Sequence, residues 1–431
     1  MRIPIWTIVL SLSTALPVAA TTWIVDQGGA GDFLTLQEAL NAAETGDEIV
    51  AHAGHYVENI DFLGKNLWLH SDQGPQATII DGSQGLPGQA SCVVFQTGEL
   101  ATAILEGFTL THGSGSRHLS LEQGGAILCL HSSPTLRNLI VESNEAQGGA
   151  GAYLGDSNPE IVDCLFQDNH ATLGGALKSS AEGCSPKVRR CVFQSNTASW
   201  GGGAVHFDPG GGLFEECEFR GNLAETGGAI SLGSYGPGPL FRACTFTDNQ
   251  ATVDLGGAFR LHESDATLLE CLLFDNSASE YGGGVFAMDG AHLYATNCTF
   301  YGNTAGSRGG NLAAHYESEL VLLYCIVAMA GSGGGVSCVS GTISFVCNDV
   351  WGNTGGNYLG CPDPTGTAGN ISVDPLFCSP ETGDFTITDC SPCAPEHNEC
   401  GHLFGALDVG CPGTTPAQST TWGAVKRAFR P

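Results

Sequence analysis

Positive charge is scarce in this chain. Lys and Arg number 15 against 44 Asp and Glu, for a formal charge of −29 over 431 residues. Lys178, His206 and Arg260 nevertheless occupy one slot of a recurring pattern, two residues after Ala176, Ala204 and Ala258. Asp208, His262, Met288 and His315 take the slot two residues further on. If successive copies stack as strands, neighbouring copies lie ~4.8 Å apart and alternate copies ~10 Å apart. Cations at that spacing suit the carboxylates of an acidic sugar chain. β-Elimination from such a chain needs a base near the proton that leaves and cations to hold the carboxylate, roles open to Lys178, His206 or Arg260. The candidate ligand-binding set is therefore Lys178, His206, Asp208, Arg260, His262 and His315. An ordinary solvated strand face is the plainer reading of the same residues. Asp248 and Asp275, in adjacent copies, are weak candidates for sharing a calcium ion; no other cofactor is expected.

Those slots belong to a repeat. Cys164, Cys191, Cys217, Cys244, Cys271, Cys298 and Cys325 follow one another at spacings of 26 or 27 residues. Two positions after each is a large apolar residue, Phe166, Phe193, Phe219, Phe246, Leu273, Phe300 or Val327. Three further on, in all but the last, is Asn169, Asn196, Asn222, Asn249, Asn276 or Asn303. Glycine pairs such as Gly174-Gly175, Gly201-Gly202 and Gly227-Gly228 separate the copies. A fixed period of this length marks a stacked repeat architecture. Within each copy the apolar residues alternate with period two, as in Ile230-x-Leu232 and Phe259-x-Leu261, which is the strand period. The runs are too short for packed helices. The expected fold is all-β: a single-stranded right-handed parallel β-helix of about 11 coils, with Cys and Phe columns inside and Asn at a bend, bonded to the next Asn.

Gly-Gly-Ala at 174–176, 227–229 and 256–258, with Phe-x-x-Asn at 166–169, 193–196, 219–222, 246–249 and 300–303, resembles the repeat of polymorphic outer membrane proteins. More broadly the chain resembles right-handed parallel β-helix repeat proteins of the pectate-lyase-like superfamily. The run from Gly31-Asp32-Phe33 to Ile80-Asp81-Gly82 is similar to the opening of such helices, and Asp374-Pro375-Leu376-Phe377 to their close. The resemblance implies the fold. It leaves activity open, because the superfamily holds lyases, hydrolases, esterases, adhesins and surface proteins. The Asn-Thr-Asp, Asp-Asp and Gly-His-Gly runs of polygalacturonase-like hydrolases are absent. So are the Asp-Phe-Ile-Phe-Gly run of pectin methylesterases and any Asp cluster like the calcium cage of pectate lyases.

The seven cysteines of the column read as buried free thiols. Stacked Cβ atoms ~4.8 Å apart exceed the ~3.8 Å that a disulfide prefers. Eight others, between Cys338 and Cys411, are irregularly spaced and suggest disulfides that staple the last coils. Cys390-x-x-Cys393 has redox spacing, but no thioredoxin-like βαβ pattern surrounds it.

Residues 1–20 read as a signal peptide, with Arg2, an apolar run and Val18-Ala19-Ala20 before Thr21. No later segment is apolar enough to span a membrane. The N-terminal cap and first coils occupy 21–123, with a helix near Leu36, Leu40 and Ala43 covering the open end and a polar loop at 113–123. Regular repeats follow over 124–335, then Cys-rich last coils over 336–411. Residues 412–431 form a linker and a basic amphipathic tail with Trp422, Val425 and Phe429, a candidate for docking to surface-sorting machinery. The acidity argues against nucleic acid as a partner. The expected protein is secreted or at the cell surface, non-catalytic, and binds polysaccharide or mediates adhesion. The alternative is a polysaccharide lyase or glycoside hydrolase acting on an acidic glycan such as pectate.

Overall fold

The computed structural model describes residues 20–412 apart from 182, 235 and 237. The expected signal peptide and amphipathic tail thus lie outside the described residues, save for Ala20 and Pro412. Each regular coil visits four sheets in turn. In one coil these visits are Glu160–Val162 in sheet 1, Leu165–Gln167 in sheet 2, His170–Leu173 in sheet 3 and Leu177–Ser179 in sheet 4. Lys187–Arg189 then returns to sheet 1, parallel to Glu160–Val162. The four sheets hold 13, 12, 10 and 12 strands. Thirteen rungs exceed the expected 11 or so. The extra rungs come from stretches outside the regular period: Ile49 stacks on Leu69 and Leu69 on Leu105 at one end, and Leu320 on Ile343 at the other.

Three bends per coil explain the sequence pattern. The residue before each column Cys has a left-handed backbone, as at Asp163 (φ 54°), Arg190 (φ 49°) and Glu216 (φ 54°). The residue before each column Asn does likewise, at Asp168, Ser195, Gly221, Asp248, Asp275 and Gly302. The Asn lies at a bend, as expected, but the left-handed position is the one before it. The Asn side chain points inward and repairs the bend. Asn222 Nδ2 donates to Asn249 Oδ1 and to the Phe193 carbonyl, both at 2.9 Å, while its own Oδ1 accepts from Asn196. The same pairing runs from Asn144 to Asn303, so these buried amides satisfy one another. At the third bend Gly174 has φ 63°, and a Cβ there would lie 2.3 Å from the Leu177 carbonyl oxygen; only glycine fits.

The core is a set of columns. Phe166, Phe193, Phe219 and Phe246 stack nearly face to face, with centroids 4.6–5.1 Å apart. A second column, Phe214 on Phe241, packs beside them. The seven column thiols are buried and unpaired, as expected. Burial pushes Cys191, Cys244 and Cys298 up in pKa. The helix at Leu36–Ala42 packs Leu36, Ala39 and Leu40 into the same core. The expected polar loop over 113–123 contains an antiparallel hairpin, Gly115–His118 paired with Leu121–Gln123.

After Tyr358–Leu359 in sheet 4 the chain touches sheet 2 once more, where Ile371 bridges Asp349 in parallel, and then leaves the solenoid. Its end does not simply cap the axis. It doubles back along the outside of sheet 2, burying Ile326, Ala328, Ile387, Cys393 and Phe404 together, with Phe385 against Phe274 at 4.9 Å. Three disulfides hold this lobe and the last coils: Cys338–Cys361, Cys347–Cys400 and Cys378–Cys411. Cys390 and Cys393 are thiols, so six of the eight cysteines are staples.

Candidate functional site on the outer face of sheet 4

Sheet 4 points Leu177, Val205, Ile230 and Phe259 into the core. The residues between them face outward and form one column. In register it runs Asp61, Val94, Leu128, Tyr153, Lys178, His206, Ser231, Arg260 and Phe286. The slot shared by Lys178, His206 and Arg260 is thus real. The solvated face is not: Lys178 is 9% exposed, His206 1% and Ser231 0%. The segments entering the glycine bends shelter it. Trp200 sits where the register shifts between Ala198 and Gly201, giving that coil one more residue than its neighbour. The pair Gly201-Gly202 is correspondingly out of phase, and Gly202 is the left-handed equivalent of Gly174.

Two cations lie over aromatic rings. Lys178 Nζ is 5.9 Å from the Tyr153 ring centroid, and the Arg260 guanidinium 5.9 Å from that of Trp200. Trp200 remains 48% exposed and packs at 6.2 Å from the His206 ring. Neither nitrogen of His206 has a hydrogen-bond partner among the described residues. Burial, with Lys178 beside it, pushes the His206 pKa down to about 3, so the imidazole is neutral at pH 7. Burial also lowers Lys178, opposed by the carboxylate of Asp208, and Arg260, opposed by Asp254, Asp289 and Asp208. Asp208 is exposed at the rim and accepts from the Ser234 hydroxyl.

The other predicted residues separate from this group. His262 pairs with Asp289 at 3.2 Å. His315 is 3% exposed and packs edge-on to Tyr281 and Phe286 at 4.9 and 5.0 Å. There the column turns apolar, with Phe286 and Ala313 under Leu255. Asp248 and Asp275 hold equivalent left-handed turns on adjacent coils; burial and then the charge of Asp248 raise Asp275. Among the described residues no three His, Cys, Asp or Glu side chains form a metal cluster.

Sequence reasoning missed Tyr153 and Trp200. Tyr153 holds the slot before Lys178 and was legible; Trp200 depends on the register shift, which was not. It also missed a groove of about 710 Å³ at the N-terminal end of this column, lined by Asp61, Gln96, Gln89, Arg117, Val94 and Leu128 among others. Arg117 comes from the hairpin and has no ion-pair partner among the described residues. The neighbouring His118 reaches the Tyr153 ring at 5.7 Å. From Asp61 to Arg260 the column spans seven strand steps, about 34 Å at the usual spacing.

Residues 181–363 match the family described as right handed beta helix region. That stretch carries most of the cationic slot, and the same four-sheet winding continues on both sides of it. This chain is a right-handed parallel β-helix repeat protein. The β-helix contains no helix long and apolar enough to cross a membrane among its described residues. No curated protein matches the chain in sequence. The fold family by itself assigns no chemistry to the outer face of sheet 4.

Proposed function

We propose that this β-helix is an exported or cell-surface, non-catalytic protein that binds an anionic polysaccharide along the outer face of sheet 4, as a scavenging or adhesive contact. The observation that carries the reading is that Lys178 and Arg260, in one column, each lie over an aromatic ring, Tyr153 and Trp200. Trp200 offers an apolar ring face to a sugar, and Arg260 beside it offers a planar donor fork to a carboxylate. The groove at Arg117 extends the same track for a chain of several sugars. Sealed positions favour binding over catalysis, because a general base must reach the proton it removes, and His206 is closed off by burial. A lyase reading has one observation behind it: burial lowers the Lys178 ammonium, the direction a base requires. Calcium, if used, would bridge Asp248 and Asp275.

A glycan array with and without calcium, read for retention and for cleavage, tests this. Uronate-containing chains should be retained uncleaved. Trp200→Ala and Arg260→Ala should each weaken retention by about tenfold, the size of one lost aromatic or Arg contact. Release of unsaturated products, abolished by Lys178→Ala, would replace the binding reading with the lyase. Uniform indifference to every acidic glycan would sink both.

A further inference from the structure

Cys390 and Cys393 stand apart from the other cysteines. The column thiols are sealed in the core, and the three disulfides hold the last coils and the terminal lobe. Cys390 is part-exposed, with its Sγ 3.5 Å from the Thr388 hydroxyl. Cys393, three residues on, is 0% exposed. Its thiol donates to Asp349 Oδ2 at 3.4 Å, a carboxylate that is itself 0% exposed. The other oxygen, Asp349 Oδ1, accepts from the Val373 amide at 3.1 Å. The loop is pinned from both sides, since Ser391 Oγ accepts from the Cys393 amide and donates to the Pro375 carbonyl. Burial pushes the Asp349 carboxyl up to about 7, so near neutral pH it can take a proton and return it.

We infer that Cys390 and Cys393 form a redox-active dithiol that exchanges with external disulfides, with Cys390 as attacking sulfur, Cys393 as resolving sulfur and Asp349 as its proton acceptor. The Cys390 thiolate attacks one sulfur of a substrate disulfide. A Cys390–substrate bond forms, the substrate S–S bond breaks, and one substrate thiolate leaves. Cys393 then passes its proton to Asp349 and attacks Cys390 Sγ. The internal disulfide forms and the second substrate thiolate leaves. Two electrons pass from the dithiol to the substrate, and the reverse sequence oxidises a substrate dithiol. The accessible sulfur attacks first; burial, with the Asp349 carboxylate beside it, holds the Cys393 thiol protonated until it resolves the mixed disulfide.

The full-length protein, its three disulfides intact, is equilibrated in glutathione buffers of varied ratio, acid-quenched, alkylated and mapped by mass spectrometry. The 390–393 pair should interconvert reversibly between dithiol and disulfide while Cys338–Cys361, Cys347–Cys400 and Cys378–Cys411 stay oxidised. With oxidised glutathione, Cys393→Ser should accumulate a mixed disulfide at Cys390, which the unaltered protein resolves. Asp349→Asn should slow that resolution by about tenfold or more at neutral pH while leaving the first attack unchanged. A pair that stays oxidised in excess reduced glutathione would be a fourth staple and would overturn the inference. So would thiols that ignore oxidised glutathione. The equilibration uses the unaltered chain, so a variant that misfolds leaves the test standing.

Discussion

His206 illustrates how one residue's setting decides its chemistry. In sequence it is an outward cation beside Lys178. In the fold it is enclosed, and its pKa falls from 6.5 to about 3. Its folded value lies below its unfolded one, so the unfolded chain takes up a proton that the folded chain refuses. The resulting stability is complete above pH 6.5 and drains as pH drops toward 3, at up to about 1.4 kcal/mol per unit. Chemical denaturation across that range should show a flatter acid limb for His206→Gln than for the unaltered protein; identical slopes would mean that the ring is hydrated and titrates normally. Asp349 runs the other way. Raised from 3.8 to about 7, it supports the fold fully below pH 3.8 and loses that contribution as pH climbs through 7. Asp349→Asn should therefore hold more of its stability than the parent as pH rises from about 4 to 7, read from the same denaturation curves.

At the scale of the element, the rung is held by interlocking columns rather than by intrinsic strand preference. Strands of three residues have little stability alone. Their bends are repaired by the Asn ladder, and their inner faces by stacked Phe rings. Asn222→Ala removes the side-chain donor to the Phe193 carbonyl and to Asn249 Oδ1, which keeps the residue-222 amide, and the acceptor of the Asn196 amide and side-chain nitrogen. Leaving such buried groups unmatched should cost roughly 3 kcal/mol. Phe219→Ala, between two stacked neighbours, should cost about 3–5 kcal/mol. Equilibrium unfolding would distinguish these from Cys244→Ala, which removes only a small apolar filler and should cost about 1 kcal/mol. A ladder variant as mild as the cysteine one would refute the repair role of the amides. The ladder itself was legible in the sequence, because its period equals the coil. The left-handed residue ahead of each Asn was not, because Asp, Ser and Gly all serve there and share no single signature.

For the whole molecule, the terminal lobe ties the late coils together from the side. Cys347–Cys400 links the end of sheet 1 to the lobe across 53 residues of sequence. Cys347→Ala with Cys400→Ala should destabilise the lobe by about 2–4 kcal/mol through lost loop closure. Limited proteolysis should then cut within residues 371–411 while the coils before them stay resistant. Unchanged resistance of the lobe would show that its apolar contacts with Ile326, Ala328 and Phe274 suffice. On the opposite part of the coil, the Asp61-to-Arg260 column joins the N-terminal groove to the cation–aromatic pairs. Its length is set by strand spacing alone, so a ligand that uses both ends must be extended.

The sequence alone determined the winding, because a repeat of 26 or 27 residues admits one way to stack like side chains over one another. It also placed the Cys, Phe and Asn columns and the shared slot of Lys178, His206 and Arg260, since register in a solenoid is periodicity. Only the tertiary structure decided which outward slots are open. Cover over sheet 4 comes from the segments entering the glycine bends, where one additional residue leaves Trp200 exposed beside the enclosed His206. Local length changes of that kind, like the return of the chain's end against sheet 2, depend on contacts between segments far apart, which no short-range pattern encodes.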